Sequence, residues 1–263
     1  MPENKKLNLF LKETFYCDYN NPNIQKIVKD FSEKYPDKRD LARAYFYLVR
    51  DGILYRVGLW QKKASETLSE KSGTCTNKAN LLVALLRASK IPAGYGKMKV
   101  NGRDYFGPIV TPFLREVISR ESVHIYAYVY LFQRWIKIDP SDDKQFSEKT
   151  SYFNLQSKLV EWDGNNDANL NLNPSHIIFD EGPLYDIDDI ISKKNKTASK
   201  FIVKMGNIYI KFLRQNNQKI ESQKHLHIIF RNWMIFNHPI TYIIFSLNSF
   251  IYRILSKIKI LKY

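Results

Sequence analysis

The sequence predicts an α+β fold, because helical and strand patterns fall in separate stretches of the chain. Apolar residues recur at helical spacing over residues 23–35, 41–49 and 79–89. Two kinds of side chain alternate over residues 123–132, and a second short run follows at 135–139, which together predict a β-hairpin. The first part of the chain is therefore expected to be mainly helical, and the middle to hold antiparallel strands.

One more strand and one insertion complete the expected elements. Residues 95–100 read as a strand that starts after Pro92 and ends at an Asn101-Gly102 turn. Residues 103–122 are mixed in character and contain two Gly/Thr-Pro turn signals, so we expect an inserted loop between the strands.

Charge divides the chain into two parts. The 263 residues carry a net charge of +15 and are 44% hydrophobic, which is typical of a globular protein. Residues 191–263 hold 14 of the 41 basic residues and only one acid, Glu221. We therefore predict a nearly neutral catalytic domain over residues 1–191 and a basic helical extension over residues 192–263.

The chain has two cysteines, Cys17 and Cys75, and their small number bears on where in the cell the protein is located. Scarce cysteine and the lack of an export signal in the first residues favour a reducing, cytoplasmic location. A Cys17–Cys75 disulfide is an alternative, but a reducing compartment disfavours disulfide formation. Two isolated cysteines form no zinc pattern, so we expect neither a metal nor a cofactor.

The stretch Ser72-Gly73-Thr74-Cys75 leads directly into a helical pattern. Ser72 or Thr74 can cap that helix through its hydroxyl, which places Cys75 at or near the helix N-terminus. Free N–H groups and the positive end of the dipole favour a thiolate there. The alternative is a buried cysteine that packs as a small apolar residue.

His124 opens the first strand of the hairpin, and Asp139 ends the second. A hairpin symmetric about residues 131–132 would put them directly opposite, whereas a turn at Gln133-Arg134 would make them diagonal. A carboxylate in either position can orient an imidazole. Singly, each has an ordinary alternative: a hydrogen-bonded strand histidine, or a turn-forming aspartate before proline. Together with Cys75 they follow the order of a cysteine-nucleophile site.

These stretches resemble the cysteine, histidine and aspartate blocks of the transglutaminase-like superfamily. The similar segments are Ser72–Arg87 with Ile91-Pro92-Ala93, Val123–Val129, and Trp135–Ser141. Residues 49–55 resemble the helix end that usually precedes the cysteine, and residues 160–167 and 180–183 are similar to a bacterial branch of the superfamily. The resemblance therefore covers about residues 15–191.

The resemblance implies a papain-like α+β core, with the cysteine on a central helix packed against an antiparallel sheet. It implies that Cys75 is the nucleophile, His124 the base and Asp139 the orienter. Tyr126 stands where the family often has tryptophan. Trp60 is the nearest upstream tryptophan, and we expect it to serve core packing and not the oxyanion.

The predicted function is cysteine-dependent acyl transfer or hydrolysis at a carboxamide or peptide carbonyl, through a thioester. Amidase, protease and transglutaminase activities share that step. The substrate would be a peptide, a protein or a small amide. The alternative is a binding module that keeps the transglutaminase fold without the reaction.

Two other groups of residues are set aside. Asp163, Asn165, Asp167 and Asn169 resemble the start of a calcium loop, but glycine is missing at the sixth position and Pro174 stands where the final glutamate belongs. His176 is expected to be a surface residue in a polar loop.

The basic extension has three interpretations. Residues 201–213 predict a basic amphipathic helix, residues 232–252 lack formal charge, and four basic residues follow among Ile and Leu, namely Arg253, Lys257, Lys259 and Lys262. A helical pair packed on the catalytic domain is one interpretation. Contact of residues 201–263 with an anionic membrane surface is another. If that contact is their role, a chain ending at residue 195 should keep its active site. An acidic or nucleic-acid partner is the third, and no motif predicts nucleic-acid binding.

Overall fold

The computed structural model describes residues 7–106, 110–111, 120–150, 159–169, 173–194, 200–244 and 246–247. It confirms the α+β class, with helices packed against a curled antiparallel sheet. Its helices include α1 Pro22–Lys34, α2 Lys38–Gly52, α3 Ala64–Glu70, α4 Cys75–Ala88, α5 Gly102–Phe106, α6 Lys144–Thr150, α7 Asp188–Lys193, α8 Lys200–Gln215 and α9 Gln223–Asn237.

Local sequence explains where the first helices begin. Asn21 caps α1 by accepting from the Asn23 N–H, and Pro22 occupies the first helical position, where no donor is needed. Asp37 caps α2 by accepting from the N–H groups of Arg39 and Asp40. Asp37 therefore marks the start of α2.

Helix α4, which begins at Cys75, lies at the centre of the core. Every residue from Thr76 to Arg87 is buried, so the helix is covered on all sides and not along one stripe only. It packs against α1, α2 and α3 and against two strands of the sheet. Ser89 ends it, as predicted.

The main sheet has four antiparallel strands. Their bounds are β3 Ala93–Asn101, β4 Glu121–Leu131, β5 Arg134–Ile138 and β6 Ile177–Leu184, in the spatial order β5-β4-β3-β6. A separate parallel pair joins β1 Leu54–Tyr55 to β2 Ser72–Gly73, just before the cysteine helix.

The predicted hairpin forms, but its turn is one residue earlier than Gln133-Arg134. Leu131 pairs with Arg134, so Phe132 and Gln133 are the turn residues. Both have positive φ, 51° and 58°, which is the geometry of a type I′ turn and matches the twist of the strands. The sequence lacks the Asn-Gly signal of that turn, which explains the misplaced prediction.

The two predicted faces of β4 are confirmed. Ile125, Ala127, Val129 and Leu131 belong to the main core with α4. Tyr126 and Tyr128 lie on the opposite face, in a second small cluster with Met98 and Val100 of β3.

The structure differs from two expectations for the segments that connect the strands. Gly102 starts the short helix α5 directly after β3, where a turn was expected. Within the predicted loop 103–122, residues 107–109 and 112–119 lie outside the described residues. Strand β6 was not predicted at all, because its acidic residues and Gly182-Pro183 read as a loop.

Helices α8 and α9 form a separate apolar cluster with residues that precede residue 191. Met205, Phe212 and Phe230 are buried in it together with Phe146 of α6, and Tyr55 packs at its edge. The packed-helix interpretation therefore holds for these two helices. The boundary at residue 191 stays a prediction, and the basic residues at 253–262 lie outside the described residues.

Over the described part of the chain, no helix is both long and apolar enough to cross a membrane. The described residues likewise contain no group of three or more His, Cys, Asp and Glu that could hold a metal ion. In the segment that only partly resembles a calcium loop, Asp163 accepts hydrogen bonds from the backbone of Asn165 and Asn166.

Candidate active site

Cys75 is the first residue of α4 and is half-buried. Thr74, not Ser72, is the cap: its hydroxyl accepts from the Asn77 N–H, and the Asn77 side chain accepts from the Thr74 N–H. The Asn77 amide also donates to the Trp60 carbonyl at 2.9 Å. These contacts fix the backbone around Cys75.

His124 lies next to Asp139 at the sheet end of the same site. The His124 side chain is 11% exposed and that of Asp139 1%, so both are shielded from water. The distance from His124 Nε2 to Asp139 Oδ2 is 2.6 Å, a short charge-assisted hydrogen bond. One nitrogen of the ring is therefore committed to the carboxylate.

The Cys75 thiol and the His124 ring lie close enough to act on each other, since His124 lowers the pKa of Cys75 and Cys75 raises that of His124. Because Nε2 contacts Asp139, Nδ1 is the nitrogen left for the sulfur. The structure thus brings Cys75, His124 and Asp139 into one chain of contacts, in the order thiol, imidazole, carboxylate. This is the geometric arrangement by which a cysteine can be activated.

The surroundings shift the titration of all three groups. Burial alone would raise the pKa of Cys75, but the hydrogen bond and charge of His124 and the Ile125 N–H outweigh it, and the pKa is lowered. Burial would lower the pKa of His124, yet the Asp139 carboxylate and the Cys75 thiol hold it well above its usual value. Thiolate and imidazolium are therefore favoured together.

Asp139 is kept ionised despite its burial. Burial opposes the charge, but His124 and the Ser141 backbone N–H, which donates at 3.0 Å, hold its pKa below the usual value. Its own N–H donates to the Ala168 carbonyl at 2.8 Å. The end of β5 is thereby fixed by a neighbouring segment and not by the hairpin alone.

Tyr126 supports the histidine from the strand. Its ring stacks on that of His124 with centroids 6.2 Å apart. Its hydroxyl donates to Asp180 Oδ1 at 2.7 Å, and Lys137 pairs with the other oxygen of Asp180 at 2.6 Å. Gly96 leaves the space for this ring, since an added Cβ would lie 2.1 Å from Tyr126 Cζ.

Sequence reasoning missed three residues around the thiol. Lys78 is fully buried one turn along α4, donates to the carbonyls of Arg50 and Ile53, and burial lowers its pKa to about 8. Burial, and then the charge of Asp139, raises the pKa of Asp142 to about 6. The third residue, Tyr55, is the β1 partner of the strand that leads into the cysteine. A lysine in an apolar helix face is the only signal that could have revealed one of them.

The remaining sequence expectations concern Trp60 and His176. Trp60 is 9% exposed and belongs to the main core, in agreement with a packing role. His176 ends a short 3₁₀ turn and is half-buried, which is less exposed than predicted. Both cysteines are free thiols, so the alternative of a Cys17–Cys75 disulfide is not realised.

Comparison with known proteins gives the site a family context. The model of the transglutaminase-like superfamily matches residues 25–140. That segment contains Cys75, His124 and Asp139. A comparison with curated proteins yields no match.

Two solved structures show partial similarity to the chain. One, provisionally called a cysteine protease, from Cytophaga hutchinsonii, shares 23% identity over 51% of this chain and 42% of its own, with a TM-score of 0.40. The periplasmic domain of TgpA from Pseudomonas aeruginosa, bound to ethylmercury, shares 15% identity over 52% of this chain and 49% of its own, with a TM-score of 0.39. The matches span less than half of either structure. Residues 25–140 are therefore similar to the transglutaminase-like superfamily, and the α+β fold of the chain agrees with that match.

Proposed function

We propose that the protein is a cysteine-dependent enzyme that cleaves or transfers the acyl group of a carboxamide or peptide. Cys75 is the nucleophile, His124 the general base and acid, and Asp139 the residue that orients the imidazole. The single observation that carries the proposal is the thiol–imidazole–carboxylate chain at the N-terminus of a buried helix.

The reaction would proceed in two halves. The Cys75 thiolate attacks the carbonyl carbon, the C–N bond breaks, and the His124 imidazolium gives its proton to the leaving amine. Water or a primary amine then attacks the thioester, His124 takes a proton from it, and the C–S bond breaks to release the thiolate. Water gives an amidase or protease, and an amine gives a transglutaminase.

Backbone N–H donors would stabilise the oxyanion in both halves of the reaction. Cys75 is the first residue of α4, so its own N–H has no partner within the helix and is available. The positive end of the helix dipole adds to this effect. Trp60 supplies no side-chain donor to the oxyanion, because its ring packs in the core.

A mass-spectrometric screen of amide donors tests this function. Peptides and small amides are incubated with the protein, with and without an added primary amine. We expect a hydrolysed product in the first case or an amine adduct in the second, and no product with Cys75→Ala. Equal turnover by Cys75→Ala would refute the proposal.

The rival function is a binding module without chemistry. In that case the thiol would titrate like an ordinary cysteine, near pH ~8.5 or above. The lowered pKa of Cys75 and the raised pKa of His124 favour the enzyme. A cytoplasmic location also stays a prediction, which the free state of both thiols supports.

A further inference from the structure

Helix α8 is hydrogen-bonded to the segment that runs beside the cysteine loop. Asn207 Nδ2 donates to the Val57 carbonyl at 2.9 Å, and the Val57 N–H donates to Asn207 Oδ1 at 3.0 Å. Gly206 allows this approach, since an added Cβ would lie 3.1 Å from Val57 Cγ2. The side-chain amide of Asn207 therefore satisfies both the N–H and the carbonyl of Val57, as the backbone of a neighbouring strand would.

Arg214, two turns further along α8, closes a ring of contacts with Tyr55 and Asp143. Its Nη2 donates to the Tyr55 carbonyl at 3.0 Å and pairs with Asp143 Oδ2. The same Asp143 oxygen accepts from the Tyr55 N–H at 2.7 Å. Asp143 is almost fully buried, so Arg214 supplies the charge that balances it.

Tyr55 in turn lies beside the nucleophile loop. It pairs in parallel register with Gly73, two residues before Cys75. Its ring packs on Phe146 with centroids 5.3 Å apart. Besides burial, the charges of Cys75 and Asp142 act on its hydroxyl and raise its pKa, which is consistent with a position close to the thiol.

We propose that α8 is a positioning element of the active site: Asn207 and Arg214 fix Tyr55–Val57, so that the Tyr55 ring limits which acyl groups reach Cys75. Tyr55 is then a specificity-determining residue, and Asn207 and Arg214 are positioning residues. This proposal rests on the proposed function, because it needs Cys75 to be the reactive group.

The test uses two haloacetamides of different size, so it does not depend on knowing the substrate. Full-length protein is alkylated with iodoacetamide and with N-benzyl iodoacetamide, and the rate at Cys75 is followed by peptide mass spectrometry. Cys17 is fully buried and serves as an internal unreactive thiol. The measured quantity is the ratio of the two rates.

We expect Tyr55→Ala to raise the ratio of the N-benzyl iodoacetamide rate to the iodoacetamide rate, because the ring no longer blocks the larger reagent. Tyr55→Phe should leave this ratio unchanged. Asn207→Ala and Arg214→Gln should shift the ratio the same way by about twofold to tenfold, the range for loss of one net hydrogen bond. Arg214→Lys should restore part of the effect. Lys211→Gln, an exposed charge on the same helix, is the matched control.

Unchanged ratios in Asn207→Ala and Arg214→Gln, with normal iodoacetamide rates, would overturn the positioning role. An unchanged ratio in Tyr55→Ala would overturn the specificity role. Failure of the proposed function looks different, because the wild-type thiol itself would then lack reactivity below its ordinary pKa.

A second inference concerns the opposite side of the extension. Large apolar side chains are exposed along α9 and the helical residues that follow it, with Phe236 at 87%. The exposed apolar face consists of Ile228, Ile235, Phe236, Ile240, Ile243 and Leu247. Ile240, Ile243 and Leu247 follow helical spacing and therefore share one side.

Positive charge accompanies this face. Lys224 and Arg231 are exposed on α9 at helical spacing from Ile228 and Ile235. Residues 191–263 contain 14 basic residues against the single acid Glu221. Apolar side chains flanked by unbalanced positive charge are complementary to an anionic lipid surface, and not to a neutral one.

We also infer that this face docks on anionic membrane. Full-length protein should co-sediment with phosphatidylcholine vesicles that contain phosphatidylserine, dissociate at high salt, and ignore pure phosphatidylcholine. Reversing both charges, Lys224→Glu with Arg231→Glu, should weaken binding about thirtyfold or more. Phe236→Ser with Ile240→Ser should weaken it as well.

Lys26→Glu with Lys29→Glu makes the same charge change on α1 and is the control, which should bind as the wild type does. Equal binding to neutral vesicles, or none to anionic ones, would overturn the inference. A dimer that depends on Phe236 in sedimentation velocity would also overturn it, because the face would then belong to a second copy of the chain.

Discussion

His124 and Asp139 are hydrogen-bonded at 2.6 Å although the hairpin does not place them opposite each other. The last paired residues of the hairpin are Ala127 and Ile138, so the register leads Asp139 toward Tyr126. Asp139 has already turned away, with its N–H on the Ala168 carbonyl. The imidazole therefore spans a diagonal, and the geometry of the pair depends on the segment that carries Ala168.

Asp139→Asn is expected to reduce activity strongly without unfolding the protein. The amide cannot balance the imidazolium, so the pKa of His124 falls and that of Cys75 rises. We expect a loss in kcat of up to about 10⁴-fold, as for an orienting aspartate of this kind. Thermal unfolding checks the fold, and Asp30→Asn on the exposed side of α1 is the control. Full activity of Asp139→Asn would remove the residue from the mechanism.

Gly96→Ala is expected to destabilise the protein and displace the support of the histidine. The new methyl group would lie 2.1 Å from Tyr126, whose ring stacks on His124. Such overpacking costs about 1–3 kcal/mol in the free energy of unfolding. Gly58→Ala is the matched control, because its added Cβ would lie 3.9 Å from its nearest neighbour, the Arg56 side chain. Denaturant unfolding of both variants measures the difference, and equal stabilities would contradict the packing described.

Much of the site could be predicted from the sequence, because its parts have local signatures. A capped helix start identifies the position of Cys75, and strict alternation over β4 fixes which residues share a face with His124. The hairpin then brings Asp139 near His124, and the segment that carries Ala168 fixes its final position. Within the hairpin, the turn residues were misplaced, since Phe132-Gln133 carries no turn signal.

The rest depends on contacts between distant segments, which local patterns do not encode. Strand β6 is held by pairing with β3, and its Asp180 reaches Tyr126 from 54 residues away. The amphipathic pattern of α8 shows that one side must be covered, but not that Tyr55 and Phe146 cover it. Tertiary packing determines both the pairing of β6 and the residues that cover α8.

Asp142→Asn is expected to stabilise the protein at neutral pH only. The folded-state pKa of Asp142, about 6, lies above that of an unfolded aspartate, so its contribution to stability is complete below pH ~4 and is lost as pH rises through about 6. At pH 7.5 the variant should therefore be more stable by about 1–3 kcal/mol. Near pH 4 the two proteins should unfold alike. The same difference at both pH values would contradict the pKa shift.

A chain ending at residue 195 is expected to be unstable, contrary to what a purely membrane-bound extension would allow. It would lose α8 and α9, expose the Phe146 cluster, and leave buried Asp143 without Arg214. Breaking such a buried pair costs about 3–5 kcal/mol. Thermal unfolding and aggregation of the shortened chain measure this. A soluble, fully stable shortened chain would show that α8 adds nothing to the fold.

The pH dependence of Cys75 alkylation tests the thiolate–imidazolium pair most directly. Iodoacetamide rates at Cys75 are measured from pH 4 upward by peptide mass spectrometry, in the wild type and in His124→Ala. The lowered pKa of Cys75 predicts that the wild-type rate stays high well below pH ~8.5 and that His124→Ala moves the inflection upward. A single inflection near or above pH ~8.5 in both proteins would contradict an activated cysteine.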